Sequence, residues 1–297
     1  MTAEAELNAA AGQAVVDGLV ALLDLEPIEE NIFRGVSPKV ELQRVFGGQV
    51  AGQALVAAGR TVESDRLVHS LHSYFIRPGD PAIPIIYNVE RIRDGGSFSV
   101  RRVLAIQHGK PIFTLSASFQ LPQGGIDHQV EMPPAPPPES LPTLAERYEG
   151  YDELWEVMSK IPQAFDVRYV DDPPWIQRTL GPRENQPHRI WLRANGTLPD
   201  DPLLHVCVVT FASDMNLLDS VLVHHGLSAR LDPISMASLD HAMWFHRRFR
   251  ADEWFRYDSS SPSASGGRGL ATGRFFTRDG RLVVSVAQEG LIRLPSA

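Results

Sequence analysis

In the C-terminal half of this chain, three short runs put chemistry-bearing side chains into otherwise apolar surroundings. Ala212-Ser-Asp-Met-Asn216 sets a carboxylic acid, Asp214, where an apolar helical run ends. Ser235-Met-Ala-Ser-Leu-Asp240 opens a strand pattern with small polar positions, Ser238 among them. Ser285-Val-Ala-Gln-Glu289 inserts an amide, Gln288, into an apolar strand, where it costs stability unless it is paired. By residue type alone, each of these groups serves equally well as a structural hydrogen-bonder. Other signatures are missing: the chain has no Gly-x-Ser-x-Gly elbow and no Walker loop. His224 and His225 are adjacent, a poor geometry for chelating one metal, and His241 and His246 face opposite ways on a strand, so no metal site is expected. Cys207 lies in the apolar run Leu204-His-Val-Cys-Val-Val-Thr-Phe211 and reads as a buried packing residue rather than a nucleophile. Gly266-Gly-Arg-Gly269 follows a Ser/Pro-rich run instead of a strand, and reads as a flexible turn rather than a phosphate loop.

The elements that must position these groups come as a repeat. Gly109-Lys-Pro-Ile-Phe-Thr-Leu-Ser-Ala117 returns as Gly280-Arg-Leu-Val-Val-Ser-Val-Ala-Gln288. An aromatic strand precedes each copy, with 34 residues from Phe75 to Gly109 and 35 from Phe245 to Gly280. Matching order and spacing imply one fold used twice. The register aligns Gln288 with Ala117, so the first copy lacks the amide.

In the first half, helical patterns are predicted over 13–25 and over the Gly/Ala-rich run 49–58, which follows Phe46-Gly-Gly and suits a helix enclosed by a curved sheet. Short strands are predicted at 33–36 and 42–45, and longer ones at 67–76, 83–94, 97–107 and 111–119, with hairpin turns at Asp94-Gly95 and His108-Gly109. Residues 122–142, including Pro133-Pro-Ala-Pro-Pro-Pro138, read as a stiff linker between halves at 12–121 and 143–297. The second half reads as a helix over 144–158, strands at 165–170 and 190–194, and a helix capped by Asp201-Pro202 and running to about Phe211. A short helix at 217–224 follows, then strands at 235–249, 254–259, 267–277 and 281–293. The fold class is therefore α+β, with helix followed by antiparallel meander in each half and the two sheets joined into one.

Bulk properties narrow the partners. The 297 residues carry a net charge of −8 and 43% hydrophobic content, which supports packed cores and argues against general nucleic-acid binding. No apolar run is long enough to span a membrane, and the acidic N-terminal run lacks the basic start of a signal peptide. With a single cysteine no intrachain disulfide forms, and a cytoplasmic location is the expectation.

Several blocks taken together resemble the type II acyl-CoA thioesterases: Phe46-Gly-Gly-Gln49, His69-Ser-Leu-His-Ser-Tyr-Phe75, Ala212-Ser-Asp214, Asp240-His-Ala-Met-Trp-Phe-His246 and Gln288-Glu-Gly290. The likeness spans roughly residues 20–292 and implies a double hotdog, two antiparallel sheets each wrapped around a central helix. It implies hydrolysis of acyl-CoA to a fatty acid and coenzyme A, with no cofactor besides the coenzyme A of the substrate, and self-association as a homodimer or higher oligomer. The family's catalytic acid falls on Asp214, its hydroxyl on Ser238, where Thr is common, and its amide on Gln288. Asp240 and His241 are expected to support them, and Arg101, Arg102, Arg247 and Arg248 are candidates for contacts to coenzyme A phosphates. Two other readings compete: an enoyl-CoA hydratase-like lyase, suggested by Asp214-Met-Asn216, and a noncatalytic acyl-CoA binding protein.

Overall fold

The computed structural model describes residues 3–38 and 43–294. The first half opens with α1 (Ala3–Leu23), β1 (Glu26–Glu29), β2 (Ile32–Gly35) and α2 (Gly47–Gly59). It continues as the meander β3 (Leu67–Phe75), β4 (Ile85–Asp94), β5 (Phe98–Gln107) and β6 (Lys110–Gln120). The second half holds α3 (Leu144–Arg147), α4 (Asp152–Met158), β7 (Phe165–Tyr169), α5 (Pro174–Leu180), β8 (His188–Ala194), α6 (Pro202–Ser213) and α7 (Asp219–His224). Its strands then follow as β9 (Ser235–Ser238), β10 (Asp240–Phe245), β11 (Phe255–Ser265), β12 (Arg268–Thr277) and β13 (Leu282–Arg293).

The strands form one antiparallel sheet in the order β1-β2-β4-β5-β6-β3-β10-β13-β12-β11-β8-β7, with β9 on β13. Read outward from the β3/β10 junction, both directions give the same succession of elements, so the expected joining of two sheets into one is what the chain does. The palindrome also protects the inner edges, because β3 and β10 cover each other.

The two central helices fill the concave side. α2 is buried along nearly its whole length, and its small residues let neighbouring backbone come close. It runs antiparallel to α6: Gly48 abuts the Phe211 carbonyl, Gly52 faces Cys207, and Gly59 meets Leu203. A Cβ on Gly48 would overlap the Phe211 carbonyl oxygen, so Gly is required there by close approach. α6 begins as expected, with the Asp201 carboxylate accepting from Leu203 N–H at 2.9 Å and proline in the first turn. Cys207 is fully buried, and burial pushes its thiol pKa up, which suits packing.

Several local expectations are revised. The helix predicted over 13–25 starts ten residues earlier, at Ala3, and Gln13 ties it to the second half through both backbone groups of Thr197. Of the predicted strand 42–45, Leu42 lies outside the described residues and 43–45 is not strand. The helix over 144–158 breaks into α3 and α4, with Gly150 between them at φ +82°. α5 was not predicted at all.

The Pro-rich run does more than span a gap. It crosses the outer face of the second half, held by Trp191 Nε1 donating to Pro136 O at 2.9 Å and by Arg256 donating to Pro133 O. Gln129 adds a pair of bonds to the start of β13, donating to Gly280 O at 2.8 Å and accepting from Leu282 N–H at 3.0 Å.

Candidate active site

The predicted strand 235–249 does not run straight. It divides at Leu239 into β9 and β10, because Leu239 N–H bonds Glu289 O while Leu239 O accepts from Phe75 N–H. In an unbroken strand Ser238 and His241, three apart, would face opposite sides. The extra residue at the break acts as a bulge and turns both toward the helices. The same irregularity interrupts β3 against β6 between Val68 and Ser70, so it belongs to the repeated fold.

Asp214 is the residue just past the last turn of α6. The antiparallel helix packing brings it to the N-terminus of α2, where it accepts a backbone hydrogen bond from Gly48. A Cβ on Gly47 would lie 2.6 Å from Asp214 Oδ2, so the Gly-Gly start of α2 makes room for the carboxylate. From β13, Gln288 Nε2 donates to Asp214 Oδ1 at 2.8 Å and to Ser238 Oγ at 2.7 Å. Ser238 Oγ in turn donates to Asp214 Oδ1 at 3.1 Å. The three side chains singled out in the sequence thus meet around one point, from one helix end and two strands.

Behind them lies a buried network. His241 Nδ1 sits 2.6 Å from Gln288 Oε1. An amide oxygen only accepts, so Nδ1 carries the proton and donates. His241 Nε2 is 2.8 Å from Ser213 Oγ, and the Ser213 carbonyl accepts from Tyr257 OH at 3.1 Å. Ser73, across the junction in β3, donates to the His241 carbonyl at 2.8 Å. His241 and Gln288 are each 1% exposed, and Ser213 is fully buried. Ser213, Tyr257 and Ser73 were not anticipated. The adjacency of Ser213 to Asp214 hinted at the first, Ser73 lies in the block 69–75 without a role attached to it, and nothing in the sequence marked Tyr257.

Electrostatics follow from this burial. Loss of hydration raises the Asp214 pKa above the usual carboxylate value, opposed by His241 and by the hydrogen bonds from Gln288, Ser238 and Gly48. Burial lowers the His241 pKa below the usual imidazole value, opposed by the charge of Asp214. Both shifts favour the neutral forms.

Asp240 has a different place from its neighbour. Its Oδ1 accepts from Glu289 N–H at 2.7 Å, which braces the break in the strand without reaching the Asp214 cluster.

The arginines scatter. Arg101 is 1% exposed and saturated by Thr61, Asp94 and the Arg93 and Val100 carbonyls. The expected phosphate contact is corrected for Arg101, because none of its donors faces an open site. Arg102 is exposed and pairs with Glu90. Arg247 and Arg248 line a cavity at the other end of the α2/α6 pair, about 20 Å from Asp214 by the length of a 13-residue helix.

Comparison with known proteins bears on what this arrangement does. The acyl-CoA thioesterase family profile matches residues 159–291, and the acyl-CoA thioesterase N-terminal domain profile matches residues 37–120. Acyl-coenzyme A thioesterase 8 of Mus musculus is 44% identical over 93% of this chain and 89% of its own length. Acyl-CoA thioesterase 2 of Haemophilus influenzae is 37% identical over 94% of this chain and 98% of its own. The crystal structure of an acyl-CoA thioesterase II from Mycobacterium marinum is similar with a TM-score of 0.77 and 48% identity, covering 94% of this chain and 98% of that one.

Proposed function

This chain belongs to the acyl-CoA thioesterase family, in its type II double-hotdog branch, and hydrolyses acyl-CoA thioesters; from that premise we propose that Asp214, Ser238 and Gln288 hold and activate the attacking water. The observation that carries this reading is the mutual contact of the three groups, at 2.7, 2.8 and 3.1 Å.

In this mechanism the ionised Asp214 accepts a hydrogen bond from the water and takes its proton as the oxygen attacks the thioester carbon. Ser238 and Gln288 fix the water's position. The carbonyl oxygen becomes an oxyanion, and the first turn of α2, which has no side-chain cap and lies beside Asp214, supplies backbone N–H donors for it besides the Gly48 N–H already bonded to Asp214. Collapse of the intermediate expels the thiolate of coenzyme A, which takes the proton back from Asp214 and leaves the fatty acid. No acyl-enzyme is needed. Ser238 has no histidine beside it to make it a nucleophile, since His241 bonds Gln288 and Ser213 instead. The same observation disfavours the lyase reading: Asp214 and His241 are bridged by Gln288 and present no acid–base pair to a substrate. Asn216 is turned toward Tyr169 and Asp219.

The decisive assay is thiol release from acyl-CoA by Asp214→Ala, Ser238→Ala and Gln288→Ala. Losses of about 10²-fold to 10⁴-fold in kcat are expected for the first and third, with a smaller loss for the second. Near-wild-type turnover in both Asp214→Ala and Gln288→Ala would remove the site. Self-association and a cytoplasmic place of action complete the proposal. The first is supported by Tyr74 (62% exposed) and Trp244 (38% exposed) on the outer face at the β3/β10 junction.

A further inference from the structure

The cavity at the far end of the helix pair, about 920 Å³ in volume, is the counterpart of the catalytic site under the internal repeat. The palindromic strand order defines the exchange of halves. Phe46 and Asp201 precede the first turns of α2 and α6, so Gly47 matches Pro202, Gly48 matches Leu203, and Asp214 matches Gly59. Along the sheet, the pair Val68↔Phe119 matches Ser238↔Gly290. The pair Leu71↔Ala117 matches His241 and Gln288, which follow directly on the pair Ala242↔Ala287. Arg77 donates to Pro111 O where Arg247 donates to Leu282 O, which fixes the same register independently. Gly59, Val68, Phe119, Pro202, Leu203 and Phe245, the counterparts of Asp214, Ser238, Gly290, Gly47, Gly48 and Phe75, all line the cavity. The backbone positions are present twice, and the acid, hydroxyl, imidazole and amide only once.

Two further observations bear on what could occupy this space. Its walls carry six arginines and four carboxylates; Arg60 is paired with Asp24, Arg247 with Asp127, Arg250 with Asp200 and Asp252, and Arg281 with Asp279, while Arg248 has no hydrogen bond or ion pair among the described residues. His205, 3% exposed and on the cavity wall, accepts Ala251 N–H at Nδ1; its Nε2 then carries a proton and has no partner among the described residues. A largely apolar lining with the unpaired cation of Arg248 and the unpartnered N–H of His205, in a volume typical of small-molecule sites, fits an amphiphile with an anionic head.

We propose that this cavity binds a second ligand of the substrate's chemical class, an acyl chain ending in an anionic head group, and holds it without cleaving it. Gly59, Val68 and Ala117, at the counterparts of Asp214, Ser238 and Gln288, carry no acid, hydroxyl or amide, so the water-activating set is not repeated there.

Calorimetric titration of the full chain with S-octyl-coenzyme A, a thioether that water cannot cleave, tests the proposal without relying on the catalytic assignment. Two ligands per chain are expected. Leu121→Trp narrows the cavity from a wall residue remote from Asp214, and is expected to weaken binding at the second site by about tenfold or more while kcat on octanoyl-CoA stays within about 2-fold of wild type. Arg248→Glu, a surface change that leaves the apolar wall intact, should weaken the second site by about tenfold or more. A parallel titration with octanoate identifies the head group: filling by both ligands points to any anionic head, and filling by the thioether alone to coenzyme A. One ligand per chain with both probes, or two per chain retained at unchanged affinity in both variants, overturns the proposal. The catalytic reading is judged separately, by thiol release in Asp214→Ala.

Discussion

Gln288 can act on a water only if its amide points the right way, and His241 decides which way that is. With Nδ1–H donating to Oε1, the Nε2 end is left to face Asp214 and Ser238. His241→Ala is expected to lower kcat by about 10-fold to 10²-fold with little change in KM, and His241→Asn, which keeps a donor near the Nδ1 position, to recover part of that loss. Equal loss in both variants would reduce His241 to a packing role. Asp214 carries a pH signature. As a base it works only when ionised, and burial raises its pKa, so the acid limb of kcat/KM should lie above the ordinary carboxylate range. The same shift costs stability. The folded chain holds this proton more tightly than the unfolded chain, so stability is present at low pH and is lost as pH rises through the raised value. Asp214→Asn should therefore raise Tm at neutral pH while abolishing thiol release. An unchanged or lower Tm would mean that the buried carboxylate is better compensated than its hydrogen bonds indicate.

At the scale of elements, the site depends on how closely α2 and α6 approach. Gly48 against the Phe211 carbonyl sets that distance, and it carries Asp214 to the start of α2. Gly48→Val would force the helices apart and is expected to destabilise the fold by about 1–3 kcal/mol, read by denaturant unfolding, with a loss of activity larger than that destabilisation explains. The break at Leu239 is the second device. It turns Ser238 onto the same side as His241, and Asp240 secures it by accepting from Glu289 N–H. The strand pattern of 235–249 was legible, and the break inside it was not. A bulge is a register relation between neighbouring strands, and the sequence of one strand does not carry its partners' alignment.

At the scale of the whole molecule, two copies of one fold are joined through β3 and β10, and the outer face of that junction leaves Tyr74 and Trp244 exposed. If this face mediates self-association, Tyr74→Glu and Trp244→Glu should lower the mass measured by light scattering at unchanged secondary structure, and an unchanged mass would move the interface elsewhere. The sequence by itself determined the repeat, the α+β class, the hairpin turns, the α6 cap and the polar positions that set the halves apart. These are local properties of period, turn chemistry and composition, written in consecutive residues. It also pointed to Asp214, Ser238 and Gln288 through a family resemblance. Only the tertiary structure decided that these side chains touch, that Ser213 and His241 stand behind them, that Arg101 is spent on internal bonds, and that the repeat's counterpart of the site lies at the opposite end of the helix pair. Each of those facts depends on the antiparallel packing of α2 on α6 and on strand register across the junction. Both are set by contacts between residues far apart in the chain, where a single sequence keeps no record of distance.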